Sequence, residues 1–164
     1  MPLIRPICKK DLKTVQGFAT EAGVGMTHLP QSQQELTHQL KLSQDSFKVG
    51  VEAPGAEEYL FVLADGNEIG GICGINASVG FVEPVYFFTL TTAQQTPLPL
   101  PRLKENRIIQ LKAVEKGPSE ICALFLSSKW RSSGLGKLLS WSRFLFMAAF
   151  PERFQKYAIA NFIL

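Results

Sequence analysis

Residues 120–127, "EICALFLS", form a run apolar enough to be buried on both faces of a sheet. Shortly after it, "RSSGLG" (131–136) opens a stretch, residues 134–150, whose only charges are Lys137 and Arg143. A buried strand, a turn of small residues and an apolar helix in that order leave few architectures open. A helix start leaves about four backbone N–H groups without partners and carries the positive end of the helix dipole, so such a turn is a pocket for phosphate. Gly134 and Gly136 let a pyrophosphate approach the backbone, Arg131 supplies a charged donor, and Ser132 and Ser133 add hydroxyls. Spacing alone fits a tight turn needing positive φ equally well. A nucleoside-triphosphate loop is excluded, because Gly136-Lys137 is followed by Leu138 and Arg131 stands where the first glycine belongs. A dinucleotide fingerprint fails too, since its third glycine would fall at Leu139.

The rest of the chain surrounds this unit with strands and helices of α+β character. "LIRPI" (3–7) reads as a strand, and Asp11 is placed to cap a helix presenting Leu12, Val15 and Ala19 on one face. Gly23, Gly25 and Pro30 break that helix, and residues 32–42 read as a second, polar one with Leu36 and Leu40 inward. Residues 43–57 read as a loop. "EEYLFVLAD" and "EIGGICGINASVG" are strands joined by a Gly66-Asn67 hairpin turn, with "VYFFTLTT" (85–92) expected to continue the sheet. Pro97, Pro99 and Pro101 favour an exposed extended loop before "RIIQLKAV" (107–114) resumes as a strand. The helix over 134–150 is expected to lie deep against the sheet.

A chain of 164 residues with 46% hydrophobic composition fits one domain, residues 1–164, with a substantial core. No run reaches the length of a membrane span, and "MPLIRPICKK" lacks the apolar stretch of a signal peptide, so a cytoplasmic protein with no membrane partner is expected. Cys8, Cys73 and Cys122 are widely spaced and flanked by apolar residues, which fits reduced, buried thiols and no metal site. The net charge of +3 is scattered, which favours an anionic small ligand over nucleic acid.

His28, in the glycine-rich turn, is a candidate for contact with substrate, and His38 a weaker one. Cys122 reads as a small buried hydrophobe before it reads as a nucleophile. Trp130, Trp141, Phe144, Phe146 and Phe150 read as core. Glu57, Glu58 and Glu120 read as exposed strand-end carboxylates, with a guanidinium partner as the functional alternative. Tyr157 has the chemistry to protonate a thiolate but lies in no motif.

The "RSSGLG" turn after a buried strand resembles the Arg/Gln-x-x-Gly-x-Gly/Ala loop of the GNAT N-acyltransferases, which holds the coenzyme A pyrophosphate. More closely, "IRP", "GVGMTHLP", "YLFVLAD", "GGICGINASVG" and "EICALFLSSKWRSSGLGKLLSWSRFLFMAAFPERF" resemble the N-terminal part of the arginine N-succinyltransferase family. The resemblance is weakest in residues 40–57 and 84–118. It implies a GNAT-like fold, a mixed, mostly antiparallel sheet flanked by helices. It also implies transfer of succinyl from succinyl-CoA, the acyl-donor cosubstrate, to the α-amino group of arginine or ornithine. Carried over by motif, Leu124, with Phe125 and Leu126 beside it, lies along the thioester and pantetheine, while Arg131, Ser132, Ser133, Gly134, Leu135 and Gly136 surround the pyrophosphate. Members of the family are about twice this length, with their catalytic proton donor beyond residue 164, so no catalytic residue is named here. "KYAIANFIL" is the next strand, expected to splay from "EICALFL", and the sheet is expected to be unfinished and to associate with a second chain. Two further readings stay open: a non-catalytic module keeping part of a coenzyme A pocket, and an acetyl-CoA-dependent transferase acting on another amine.

Overall fold

In the computed structural model, residues 1–23, 26, 28–93, 106–131 and 134–161 are described. The Gly66-Asn67 turn, with Gly66 at φ +59°, joins β2 (Glu58–Asp65) to β3 (Glu68–Asn76) as an antiparallel hairpin. β1 (Leu3–Pro6) adds to the outside of β2, and β6 (Ser119–Leu126) pairs antiparallel with β3. β7 (Ala158–Ile159) then joins β6 in parallel, giving the order β1-β2-β3-β6-β7. β2 is buried on both faces because side chains alternate along a strand. Leu60 and Val62 enter one core with Val15, Phe18, Leu36 and Leu40, while Tyr59, Phe61 and Leu63 enter the other with Leu139 and Phe154.

α1 (Leu12–Ala22) and α2 (Gln33–Lys48) fill the first of these faces. Asp11 stands at the start of α1 but makes no side-chain cap there. Its buried carboxylate instead accepts two hydrogen bonds from Arg5, at 2.6 and 2.8 Å, and one from the Cys8 N–H. Burial alone would raise its pKa, but those donors, Arg5 foremost, hold it below the usual carboxylate value.

α2 runs six residues beyond the expected end at Leu42. Ser43 and Ser46 read as loop residues by type, yet they continue the buried stripe of Leu36 and Leu40. The Leu60 N–H donates to Ser43 Oγ at 2.8 Å and the Glu58 N–H to Ser46 Oγ at 3.2 Å. The last turn of α2 thus supplies acceptors to β2, and Phe47 stacks edge-on against Tyr59 and Phe61.

α3 (Leu135–Ala149) covers the second face less deeply than expected. Leu139 and Arg143 are its buried residues, whereas Trp141 is 62% and Leu145 67% exposed, with Leu138, Phe144 and the following Phe150 also exposed. Of the aromatic residues expected in the core, Trp130 and Phe146 pack against it, Phe146 among Phe47, Tyr59, Phe61 and Phe154. Cys73 and Cys122 are buried, while Cys8 is only half-buried; all three are free thiols.

β4 (Val85–Ala93) and β5 (Asn106–Val114) do not continue the main sheet. They pair with each other as a separate antiparallel ribbon, from Val85 opposite Val114 to Ala93 opposite Asn106. The proline-rich stretch, residues 94–105, lies outside the described residues.

Candidate active-site cleft

Among the described residues β6 and β7 pair at Ser119 with Ala158 and at Glu120 with Ile159. Beyond that point Ile121 to Phe125 on one side and Ala160 and Asn161 on the other line an open cleft of about 670 Å³. β6 is itself irregular there. Ile72 faces Phe125 and Gly74 faces Cys122, so Cys73 alone spans Ala123 and Leu124. This is a β-bulge, with Ala123 at φ +51°, and it leaves Leu124 46% exposed beside the cleft. A left-handed alanine costs on the order of 1 kcal/mol, which the flanking ladder on both sides holds in place.

The cleft carries charged groups of both signs. His28 Nε2 lies 3.3 Å from Glu120 Oε1, and the carboxylate is 4% exposed. Asn76 donates to Glu120 Oε2 at 3.0 Å and Asn161 to Oε1 at 2.5 Å. The hydrogen bond that His28 donates to Glu120 raises the His28 pKa above its ordinary value against the effect of burial. Burial pushes Glu120 upward, but His28, Asn76 and Asn161 outweigh it and hold the carboxyl below its ordinary range. Behind them burial raises the pKa of Glu58, whose neighbour Gln39 donates to the His28 carbonyl at 3.0 Å.

Arg131, Ser140, Arg143 and Phe144 also line the cleft. Arg131 is exposed, and its Nε donates to the Leu126 carbonyl at 3.1 Å. Gly134 adopts φ +78° at the start of α3, and a Cβ there would meet nothing within 4 Å. That positive φ meets the tight-turn reading of the glycine. Its carbonyl accepts from the N–H groups of Lys137 and Leu138, and Leu135 and Gly136 form the first turn. Gly136 lies against the Leu126 side chain. Ser132 and Ser133 fall outside the described residues.

The described residues hold no group of three or more His, Cys, Asp or Glu side chains suited to a metal ion. Burial pushes the Cys122 thiol well above the ordinary cysteine value, so it is not a thiolate nucleophile. Tyr157 is 70% exposed and does not line the cleft.

The family model described as the arginine N-succinyltransferase beta subunit matches residues 2–163. The chain belongs to the arginine N-succinyltransferase family. Arginine N-succinyltransferase from Citrobacter koseri is 34% identical over 164 residues, covering 98% of this chain and 47% of that protein. The Salmonella newport protein of the same name is 35% identical over 163 residues, again 47% of its length. The chain spans about half the length of the curated relatives it matches. Arginine/ornithine succinyltransferase subunit AI of Pseudomonas aeruginosa superposes with a TM-score of 0.86 at 33% identity, over 98% of this chain and 49% of that one. The PaiA N-acetyltransferase of Thermoplasma acidophilum, solved with coenzyme A, superposes at 0.54 with 13% identity over 93% of this chain and 75% of that one. The fold is therefore that of the GNAT N-acyltransferases, with a mixed sheet flanked by helices.

For this arginine N-succinyltransferase family member the structure brings Leu124, Phe125, Arg131 and His28 to one cleft, whereas Leu126 and Leu135 pack against the second core and Gly136 lies against the Leu126 side chain. Two residues of the cleft region are more deeply buried than their sequence setting suggests. Glu120 was expected to be exposed, yet a carboxylate beginning a buried strand needs partners, and that was the available signal. Arg143 was noted only as a helix charge, although it follows Leu139 by four residues and so shares its buried face.

Proposed function

We propose that this chain forms the acyl-CoA cleft of an arginine N-succinyltransferase, an enzyme moving succinyl from succinyl-CoA to the α-amino group of arginine or ornithine. The parting of β6 from β7 after Glu120, with Arg131-x-x-Gly134-x-Gly136 following the end of β6, carries this reading. Arg131, Ser132, Ser133, Gly134, Leu135 and Gly136 hold the pyrophosphate, where helix-start N–H groups and a guanidinium meet an anion. Leu124, Phe125 and Leu126 run along pantetheine and thioester, and the bulge at Ala123 and Leu124 is where a backbone N–H would meet the carbonyl oxygen as it gains charge.

The acceptor enters at the other end, beside His28. Neutral His28, oriented by Glu120, takes a proton from the ammonium group. The amine then forms the N–C bond as the C–S bond breaks, and the departing thiolate takes up a proton. The reaction belongs in the cytoplasm; among the described residues no helix is long and apolar enough to cross a membrane. The working enzyme is an oligomer, this chain acting together with a related chain or the remaining family portion.

The test is coenzyme A binding by calorimetry, followed by arginine-dependent thiol release from succinyl-CoA. Arg131→Ala is expected to weaken binding about tenfold or more through loss of a charge-assisted contact, and Gly134→Val to block it. Unchanged affinity in both variants would overturn the loop assignment. Release that does not depend on arginine or ornithine would overturn the reaction.

A further inference from the structure

Arg143 is 4% exposed and lines the cleft, yet among the described residues no carboxylate lies within ion-pair distance of it. Its contacts are neutral: Nε to the Ser140 carbonyl at 3.2 Å, one terminal nitrogen to Ser140 Oγ at 3.0 Å and the other to the Cys122 carbonyl at 3.4 Å. A guanidinium carries five N–H donors, so two are left over beside an open cavity. Burying a cation without a counter-anion is costly, and here burial opposes the charge with only Cys73 and Cys122 acting in its favour. Those thiols are themselves held neutral by burial. A buried, uncompensated cation facing a cleft is completed by an anion that arrives with the ligand.

The position of Arg143 indicates which part of the ligand that is. Arg131 and Gly134 stand at the head of α3, whereas Arg143 lies more than two turns further along, against the Cys122 carbonyl. Cys122 immediately precedes the bulge at Ala123 and Leu124. Resting on the acyl-CoA reading above, we propose that Arg143 recognises the free carboxylate at the far end of the acyl chain and so selects a dicarboxylic acyl-CoA over a monocarboxylic one. The planar fork accepts a carboxylate through two parallel N–H bonds, and its contacts with Ser140 and Cys122 fix the fork in place.

The experiment compares dissociation constants of the full chain for succinyl-CoA, butyryl-CoA and free coenzyme A, in the wild type and in Arg143→Gln and Arg143→Lys. Butyryl-CoA replaces only the terminal carboxylate by a methyl group. The wild type is expected to prefer succinyl-CoA by roughly ten- to a hundredfold, the span of a charge-assisted pair. Arg143→Gln is expected to abolish that preference while leaving free coenzyme A binding unchanged, and Arg143→Lys to keep part of it. Equal affinity of the wild type for the two acyl-CoAs overturns the proposal without any variant, as does a preference that survives in a folded Arg143→Gln. Equal weakening of all three ligands assigns Arg143 to the coenzyme A phosphates and overturns it too. Failure of the wild type to bind coenzyme A at all removes the acyl-CoA reading itself, and this inference with it.

Discussion

His28 and Glu120 titrate as a pair, and each is stabilised in its charged form by the other. The raised His28 pKa gives stability that is whole below the ordinary histidine value and is lost as pH rises through the folded value. The lowered Glu120 pKa gives stability that is whole above the ordinary carboxylate value and is lost as pH falls through the folded one. Both contributions are therefore complete between about pH 4.5 and 6.5, the ordinary values of the two groups. With only two histidines in the chain, NMR titration against a His38 variant isolates His28. Glu120→Gln is expected to bring the His28 midpoint down to or below the ordinary value, since burial then acts with little opposition. If the proton transfer runs through His28, the acid limb of the pH–rate profile moves with it. A midpoint that ignores Glu120→Gln would show that the pair does not set the histidine charge.

At the scale of elements, the end of α2 is the clearest case of a side chain acting outside its usual role. Ser43 is fully buried and is the acceptor for the Leu60 N–H, a donor that would otherwise be lost in the core. Ser43→Ala is expected to cost about 1–3 kcal/mol in chemical denaturation, the penalty of stranding that group. A cost near zero would mean that water replaces the hydroxyl. The same residue shows what sequence could and could not reveal. Apolar runs on either side of the Gly66-Asn67 turn made β2 and β3 legible, and the small-residue turn made the start of α3 at Gly134 legible. α2 read short because a serine inside a helix is ordinarily a competitor for backbone bonds, and only the neighbouring strand turns it into an asset. α3 read as deeply buried because its composition says nothing of how much surface the sheet offers it. The Glu120 partners come from three separate elements, which no local pattern brings together.

At the scale of the molecule, two apolar surfaces face outward. Trp141, Phe144 and Leu145 stand exposed on α3, and on the ribbon Phe88 is 75% and Ile109 69% exposed, with Leu90 opposite Ile109 and Leu111 opposite Phe88. An isolated two-stranded ribbon with a bare apolar face is marginal in water. The chain is therefore expected to self-associate with concentration in sedimentation velocity, and Phe88→Glu with Leu111→Lys to shift it toward monomer. A wild type that stays monomeric at high concentration would contradict this.

The ribbon leaves and rejoins the sheet at a single neck. Val79 donates to the Pro118 carbonyl at 3.0 Å, Gly117 to that of Val79 at 2.7 Å and Lys116 to that of Gly80 at 3.2 Å. Gly80 has φ +71°, and a Cβ on it would lie 2.2 Å from the Val114 carbonyl oxygen. Below the neck Asn76 and Glu120 are already paired in the main sheet. In engineering terms the neck is a socket. Whatever is spliced between residues 80 and 116, a short turn or a foreign domain with adjacent termini, enters and leaves at one point, and the five-stranded sheet keeps its register beneath it.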